Sequence, residues 1–328
     1  MTAAEPLPTF GPDDDALHAP GDKHPWTETS WWSFNVPERD LGGWLYVQVR
    51  PHQDSTAGGA FVWDSTASLP WELPYYGWFT HQKLRPGLDL RHARLDSGVG
   101  IDVVEPGMVY DLAYRFRDED DFVADLRFEG LVPPFPYLSG TPPFSASSHF
   151  DQPGRITGTI RLRGEDIAVD CLSVRDRSWG PRPEHWSRGG RLSYAFGTFD
   201  ERTGFLAFCA PVGDDPFSDE ERLTTGYLLR DGVMRRLTAG VRRNVRDAGD
   251  GMVRQITLSL QDEAGRSLDV EGVSVSRMVL PRHRITYNSL VHWQADGGLV
   301  GHGEDQDLWP IALTADRVRG ACARSTTT

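Results

Sequence analysis

The chain has 328 residues, 25% charged and 39% hydrophobic, a balance typical of a folded globular protein. It carries 47 acids against 34 bases, a net charge of −13. This charge repels phosphate backbones and anionic membrane surfaces and argues against a nucleic-acid partner. No apolar run approaches the ~20 residues of a membrane helix, so no stable membrane insertion is expected.

In chain order, Met1–Leu17 is acidic and proline-containing and lacks the basic start and apolar core of a signal peptide. Cys171, Cys209 and Cys322 are far apart and odd in number, so reduced thiols in a cytoplasmic protein are expected, with no disulfide framework. Seven of the eleven tryptophans fall between Trp26 and Trp78, joined by Tyr75, Tyr76 and Phe79. They form either a tryptophan-rich core or a π-lined apolar pocket, and the interior of a small barrel accommodates both.

Short runs of period two then recur: Gly43–Val49, Val99–Val104, Met108–Phe116, Val123–Phe128, Arg155–Leu162, Leu192–Phe199, Gly204–Ala210, Met252–Leu260, Arg284–Tyr287 and Ser289–Trp293. In the last part of Met252–Leu260, Ile256, Leu258 and Leu260 share one face and Thr257 and Ser259 the other, as in a half-buried strand. Asp231-Gly232, Asp250-Gly251, Ala264-Gly265 and Asp296-Gly297-Gly298 punctuate the second half as turns. No amphipathic helix of three turns is expected. Many short strands imply an all-β chain of sandwiches or barrels rather than a parallel sheet with crossover helices. Val132–Ser148 reads as a long loop, Pro211–Arg222 as a solvated loop, and Gly180–Gly190 as a loop carrying a motif. The expected division is a tail over 1–23, a β domain over 24–185, a second over 186–315 and a tail over 316–328.

Several chemistries have no sequence support. The chain lacks a phosphate-binding GxxxxGK[ST], a strand-turn-helix GxGxxG, an HExxH and a GxSxG elbow. The pairs His81/His92 and His283/His292 have no supporting cysteine or carboxylate pattern. No cofactor and no metal ligand is therefore expected.

The distinctive stretch is Val174-Arg-Asp-Arg-Ser-Trp-Gly-Pro-Arg182, followed by Glu184, His185 and Trp186. Glu165–Val174 reads as a strand that delivers Asp176, Trp179 and Arg182 to a barrel rim. Asp176 points away from Arg175 and Arg177. Apolar residues on both faces leave open which side is interior. In an apolar pocket Asp176 would be a desolvated acid of raised pKa; with Arg182 folded onto it, the two would be a structural ion pair.

The Asp-Arg-Ser-Trp-Gly run resembles the Asp-x-[Ser/Asn]-Trp-Gly signature of the AttH-like and hydroxyneurosporene synthase (carotenoid 1,2-hydratase) superfamily. His24-Pro25-Trp26 with Glu28-Thr29-Ser30, His149–Gly158, and Gly301-His-Gly-Glu304 with Trp309 are similar to other stretches of its uncharacterised bacterial branch. The resemblance spans about residues 24–312. It implies two lipocalin-like antiparallel β-barrels packed side by side, and hydration or cyclisation of terpenoid-like or polyketide-like alkenes. The hydratase branch carries His where this chain has Arg177, and its downstream Tyr-x-Asp is matched at best by Thr198-Phe-Asp200.

Protonating an unactivated alkene requires a neutral acid, an apolar pocket and π-faces for the cation, and no cofactor. Asp176 and Asp200 are the candidate acids. Trp179, Arg182, Tyr194, Trp186, His149 and Glu304 are the candidate substrate-binding residues. Tyr194 is equally readable as a core tyrosine, and Asp200 as a turn residue before Thr203-Gly204. The expected function is a cofactor-independent hydratase, dehydratase or cyclase with a hydrophobic small-molecule substrate. The alternatives are a non-catalytic carrier of a lipophilic ligand and a scaffold with a filled core. Nothing in the sequence indicates an oligomeric state.

Overall fold

The computed structural model describes residues 10–117, 121–144, 146–182, 190–282 and 284–325. The chain is almost entirely β and divides into two compact units. The first takes residues 1–36, 42–62 and 74–182, and the second residues 37–41, 63–73 and 183–328. Among the described residues, no helix is long and apolar enough to cross a membrane.

The strands of the first sheet are β1 (Trp26–Val36), β2 (Leu41–Arg50), β3 (Ser55–Trp63), β4 (Tyr75–Lys83), β5 (His92–Arg94), β6 (Val99–Glu105), β7 (Val109–Arg115), β8 (Phe122–Gly130), β9 (Phe135–Tyr137), β10 (Ser148–Leu162) and β11 (Glu165–Pro181). Their order is β4-β3-β2-β1-β11-β10-β8-β7-β6-β5, with β9 also on β10. The sheet curls. Tyr75 of β4 and Tyr114 of β7 bring their hydroxyls within 2.7 Å, and Phe34 of β1 stacks over Phe122 of β8. Trp32, Phe34, Tyr110, Tyr114, Phe128 and Ile156 fill the concave side, each 2% exposed or less. Burying such a side chain stabilises the fold by ~2–3 kcal/mol before entropy is counted. The stretch expected to be a long loop at 132–148 contains β9, which pairs with β10 through His149↔Tyr137 and Asp151↔Phe135.

The second unit is a closed barrel of β12 (Leu192–Asp200), β13 (Thr203–Pro211), β14 (Glu220–Arg230), β15 (Val233–Arg246), β16 (Val253–Asp262), β17 (Ser267–Pro281), β18 (Arg284–Ala295) and β19 (Leu299–Pro310). Closure comes from β19 pairing back onto β12, from Leu192↔Leu308 to Thr198↔His302. The Gly-bearing turns read from the sequence all lie between consecutive strands. Asp231 (φ 56) and Gly232 (φ 76) form a two-residue link with the left-handed backbone that a tight hairpin needs.

Eight strands leave an interior that side chains can fill. Part of it is apolar, with Phe205, Leu228, Leu258 and Trp293. The remainder is ionic. Arg242 donates to both oxygens of Asp305 (2.7 and 2.8 Å) and pairs with Glu221 at 2.8 Å. Arg191 pairs with Glu221 and Asp307, and Arg246 with Asp307 at 2.6 Å. Three arginines thus face three carboxylates. Glu221 is fully buried, although it falls in the stretch read as a solvated loop.

Helix α1 (Ile311–Ser325) lies where a tail from residue 316 and no helix of three turns were expected. Ile311 and Val318 are exposed, so these apolar positions do not seat the helix. Arg317 instead lies 4.9 Å over the Trp309 ring and donates to the Gly251 carbonyl. Nor is the N-terminal segment from Phe10 onward a free tail. Asp15 is buried, accepting bonds from the Tyr110 hydroxyl (2.5 Å) and the Gly107 N–H (2.7 Å).

Candidate active site

The motif strand β11 turns its two faces to different chemistries. Ile167, Val169, Cys171, Arg175 and Arg177 point to the concave, aromatic side and are all buried. Arg175 lies 4.1 Å over the Tyr110 ring and 4.8 Å over Phe150. Its Nε donates to Gln152 and its Nη2 to the Tyr110 hydroxyl, both at 2.6 Å. Arg177 is held by Glu28 at 2.7 Å and by the carbonyls of Asp14 and Ala16. The arginines are therefore the interior residues, and Asp176 lies on the convex face. This resolves the ambiguity in the strand pattern.

On that convex face, the first half of β11 is exposed and charged, with Asp170 bonded to Arg155. Burial sets in from Val174 onward. There the register places Asp176 directly beside Asp151 of β10 and Trp31 of β1, and Ser178 beside His149. The His149 Nδ1 is 2.7 Å from the Ser178 hydroxyl, and its Nε2 is 3.2 Å from Asp151 Oδ1. His149 is 3% exposed and Asp151 0%. Phe144 stacks on the imidazole at 4.2 Å, and Tyr137 lies at 5.4 Å. Trp31 is buried and packs edge-on against Trp44.

Asp176 is densely surrounded by protein yet retains some accessible surface. Its Oδ1 has no hydrogen-bond partner among the described residues. Burial pushes its carboxyl up to about 7. His149 opposes the shift, Asp151 adds to it, and Arg182 and Arg175 oppose it further. Two neighbouring carboxylates that share limited positive charge cannot both ionise cheaply. The arrangement is an acid–acid–histidine cluster in which Asp176 holds its proton into the neutral range.

His149, Asp151 and Asp176 also present ligand atoms within 4.8 Å of one another, a set able to hold a cation. No metal ligand was expected from the sequence, where His149 and Asp176 are 27 positions apart.

The family described as "Domain of unknown function (DUF7064)" matches residues 11–306. The chain belongs to that family. No curated protein matches it by sequence. Among solved structures, it is similar to an AttH-like protein of Nitrosomonas europaea at 16% identity and a TM-score of 0.59, over 94% of this chain and 99% of that one. It is similar to kievitone hydratase from Nectria haematococca at 11% identity and a TM-score of 0.52, over 92% and 96%. A third structure, CghA with Sch210972, has 13% identity and a TM-score of 0.52, over 87% and 88%. At these identities the likeness is one of fold, and the AttH-like architecture is shared.

In this DUF7064 member the expected site residues scatter. Asp176 and His149 meet, and Arg182 is near enough for its charge to act on Asp176. Trp179 lies on the opposite face of β11, stacked on His18 at 4.3 Å and edge-on to Phe10 at 4.8 Å. It anchors the N-terminal segment and does not face the acid. Asp200 is exposed in the β12–β13 turn, where its Oδ1 accepts the Arg202 N–H at 2.7 Å. A solvated turn carboxylate lacks the enclosed apolar surroundings that the acid role requires, so Asp200 is not carried forward as the acid. Tyr194 and Glu304 are buried on the outward face of the second barrel, on the same side as Phe196. Trp186 lies outside the described residues. Asp151 and Trp31 were not singled out from the sequence. The alternation His149-Phe150-Asp151 places His149 and Asp151 on one face, but only strand pairing brings both to Asp176.

Proposed function

We propose that this protein is a cofactor-independent lyase of the hydratase type. Its substrate is a hydrophobic, terpenoid-like or polyketide-like alkene, and Asp176 is the proton donor. One observation carries the reading: Asp176 is a partly accessible carboxylic acid held neutral to about pH 7, with an oxygen lacking a protein partner, beside an aromatic wall. The fold shared with kievitone hydratase and the Asp-Arg-Ser-Trp-Gly stretch support the same reaction class.

In the forward direction, Asp176 transfers its proton to one alkene carbon, and the π electrons form the new C–H bond. The cation left on the other carbon is stabilised by the Asp176 carboxylate and by the face of Trp31. Water adds to that carbon and gives its surplus proton back to Asp176, directly or through His149. The acid is regenerated and the product is an alcohol. Dehydration is the same path reversed.

The test is turnover of acyclic isoprenoid alkenes in oxygen-18 water, read by mass spectrometry as incorporation of labelled hydroxyl. Asp176→Asn is expected to lower the rate by about 10²–10⁴-fold while keeping the fold. The wild-type rate is expected to survive dialysis against a chelator. Wild-type rates in the variant would refute the acid. Tight ligand binding with no incorporation would instead favour the carrier reading. Activity lost to chelator and restored only by a divalent ion would turn the His149–Asp151–Asp176 cluster into a metal centre.

A further inference from the structure

On the concave side of the first unit, one of the chain's own side chains fills a carboxylate receptor. Asp15 ends the short 3-10 turn Pro12–Asp15 and is the only buried residue of 10–18. Its carboxylate accepts the Tyr110 hydroxyl at 2.5 Å and the Gly107 N–H at 2.7 Å, and Arg175 Nη1 stands 3.9 Å away. These groups belong to the sheet, and the sheet holds them without help from Asp15. Arg175 donates to the Tyr110 hydroxyl and to Gln152 Oε1, both at 2.6 Å. Gln152 in turn donates to the carbonyls of Gly107 (2.9 Å) and Val132 (2.8 Å). Two fixed donors beside a buried guanidinium are an arrangement that recognises a carboxylate.

The receptor continues into an apolar surface. Arg175 lies 4.8 Å over the Phe150 ring, and Phe10 packs against that ring at 5.4 Å and edge-on to Trp179 at 4.8 Å. The segment therefore presents an aromatic ring and a carboxylate to the sheet, while residues 11–13 between them are exposed. Arg177 adds a hold through the carbonyls of Asp14 and Ala16. It also donates to Glu28 and to the Thr29 carbonyl, so it is not left bare when the segment leaves.

We propose that Tyr110, Gly107 and Arg175 form a binding site for an amphiphilic monocarboxylate, which the 10–18 segment occupies in cis until the ligand displaces it. The ligand's carboxylate takes the place of Asp15, and its apolar body takes the place of Phe10 against Phe150 and Trp179. A mostly apolar site with a few placed polar groups suits such a molecule. The site lies on the opposite face of β11 from Asp176 and does not depend on the acid chemistry. Asp15 competes as a tethered group, at an effective concentration on the order of millimolar, so free ligand must exceed that level to enter.

The experiment uses the full chain at neutral pH, with sodium acetate and sodium phenylbutyrate as probes and sodium chloride at equal ionic strength as control. Asp15→Ala empties the receptor. Its thermal midpoint is expected to fall, and to recover in acetate but not in chloride. If this variant does not fold in chloride, its refolding yield in acetate against chloride gives the same reading. The double variant Phe10→Ala/Asp15→Ala is expected to bind phenylbutyrate at least about tenfold more tightly than the neutral phenylbutanol, because hydrogen bonds to a charged group are the stronger ones. In the wild-type chain, phenylbutyrate above the effective concentration of Asp15 is expected to speed amide hydrogen exchange over 10–18. Equal recovery or yield in acetate and chloride would overturn the proposal, as would equal affinity for the acid and the alcohol. Unchanged wild-type exchange over 10–18 in ligand well above that concentration would overturn the displacement, and the proposal with it.

Discussion

Among single residues, Asp176 shows how its neighbours set its chemistry. The same residue type at Asp170, exposed and paired with Arg155, has its pKa lowered, because the Arg155 hydrogen bond outweighs a small burial cost. At Asp176 burial dominates and the shift is upward, to about 7. The sign follows from linkage. Between the unfolded pKa near 3.9 and the folded value, the native state holds a proton that the unfolded chain has released. Stability attributable to this group therefore falls as pH rises through that window, by about 1.4 kcal/mol per unit, and levels off above pH 7. Asp176→Asn removes this dependence. Its stability relative to wild type, from urea unfolding, is expected to be on the order of 2 kcal/mol more favourable at pH 8 than at pH 5. An Asp176 ionised and salt-bridged to Arg182 would leave the difference flat between pH 5 and pH 8 and lose stability only as pH falls below about 4, which separates the two roles left open by the sequence.

The seam that closes the second barrel depends on the close approach of two strands. β19 passes β12 at Gly303, where an added Cβ would lie 2.0 Å from the Phe196 carbonyl oxygen. That neighbour is backbone in a paired strand and cannot move aside without breaking the ladder. Gly303→Ala is expected to cost several kcal/mol, seen as a thermal midpoint lower by roughly 5 °C or more. Gly265→Ala, where nothing lies within 4 Å but φ is +78, tests the separate cost of the left-handed backbone. It is expected to lower stability by only about 1 kcal/mol. Equal effects in the two variants would show that seam packing is not what Gly303 serves.

Across the whole molecule, the two units differ in how complete they are. All eight barrel strands lie within residues 192–310, and the chain closes on itself there. The second unit also takes in residues 37–41 and 63–73, which precede the barrel in sequence, and the Ser68 carbonyl accepts the Val279 N–H at 2.8 Å. A fragment of residues 183–328 is expected to fold with a β-type circular dichroism spectrum and a cooperative transition, at a lower midpoint than the full chain. An unfolded fragment would show that the two added segments are required for the barrel to form. Inside this barrel an ionic half pairs Arg191, Arg242 and Arg246 with Glu221, Asp305 and Asp307, beside an apolar half. Removing one partner of such a buried set typically costs about 3–5 kcal/mol, so the network contributes to the stability of the barrel.

Some of this protein was readable from residues alone, because the signals were local. Alternation marked most of the strands from Gly43–Val49 to Ser289–Trp293, and Gly-bearing turns such as Asp231-Gly232 marked the hairpins, because strand period and turn backbone are properties of a few consecutive residues. The opposed directions of Asp176 and Arg175 followed from the same alternation. Which of those directions was interior did not follow, because both faces of β11 carry apolar residues, and only the curl of the first sheet decided between them. The meeting of Asp176, Asp151 and His149 depends on the β10–β11 register. The burial of Glu221 depends on barrel closure, and helix α1 is held by Arg317 donating to the Gly251 carbonyl. Each of these is a contact between residues distant in sequence, where no local period records the partner, and the tertiary structure alone supplies it.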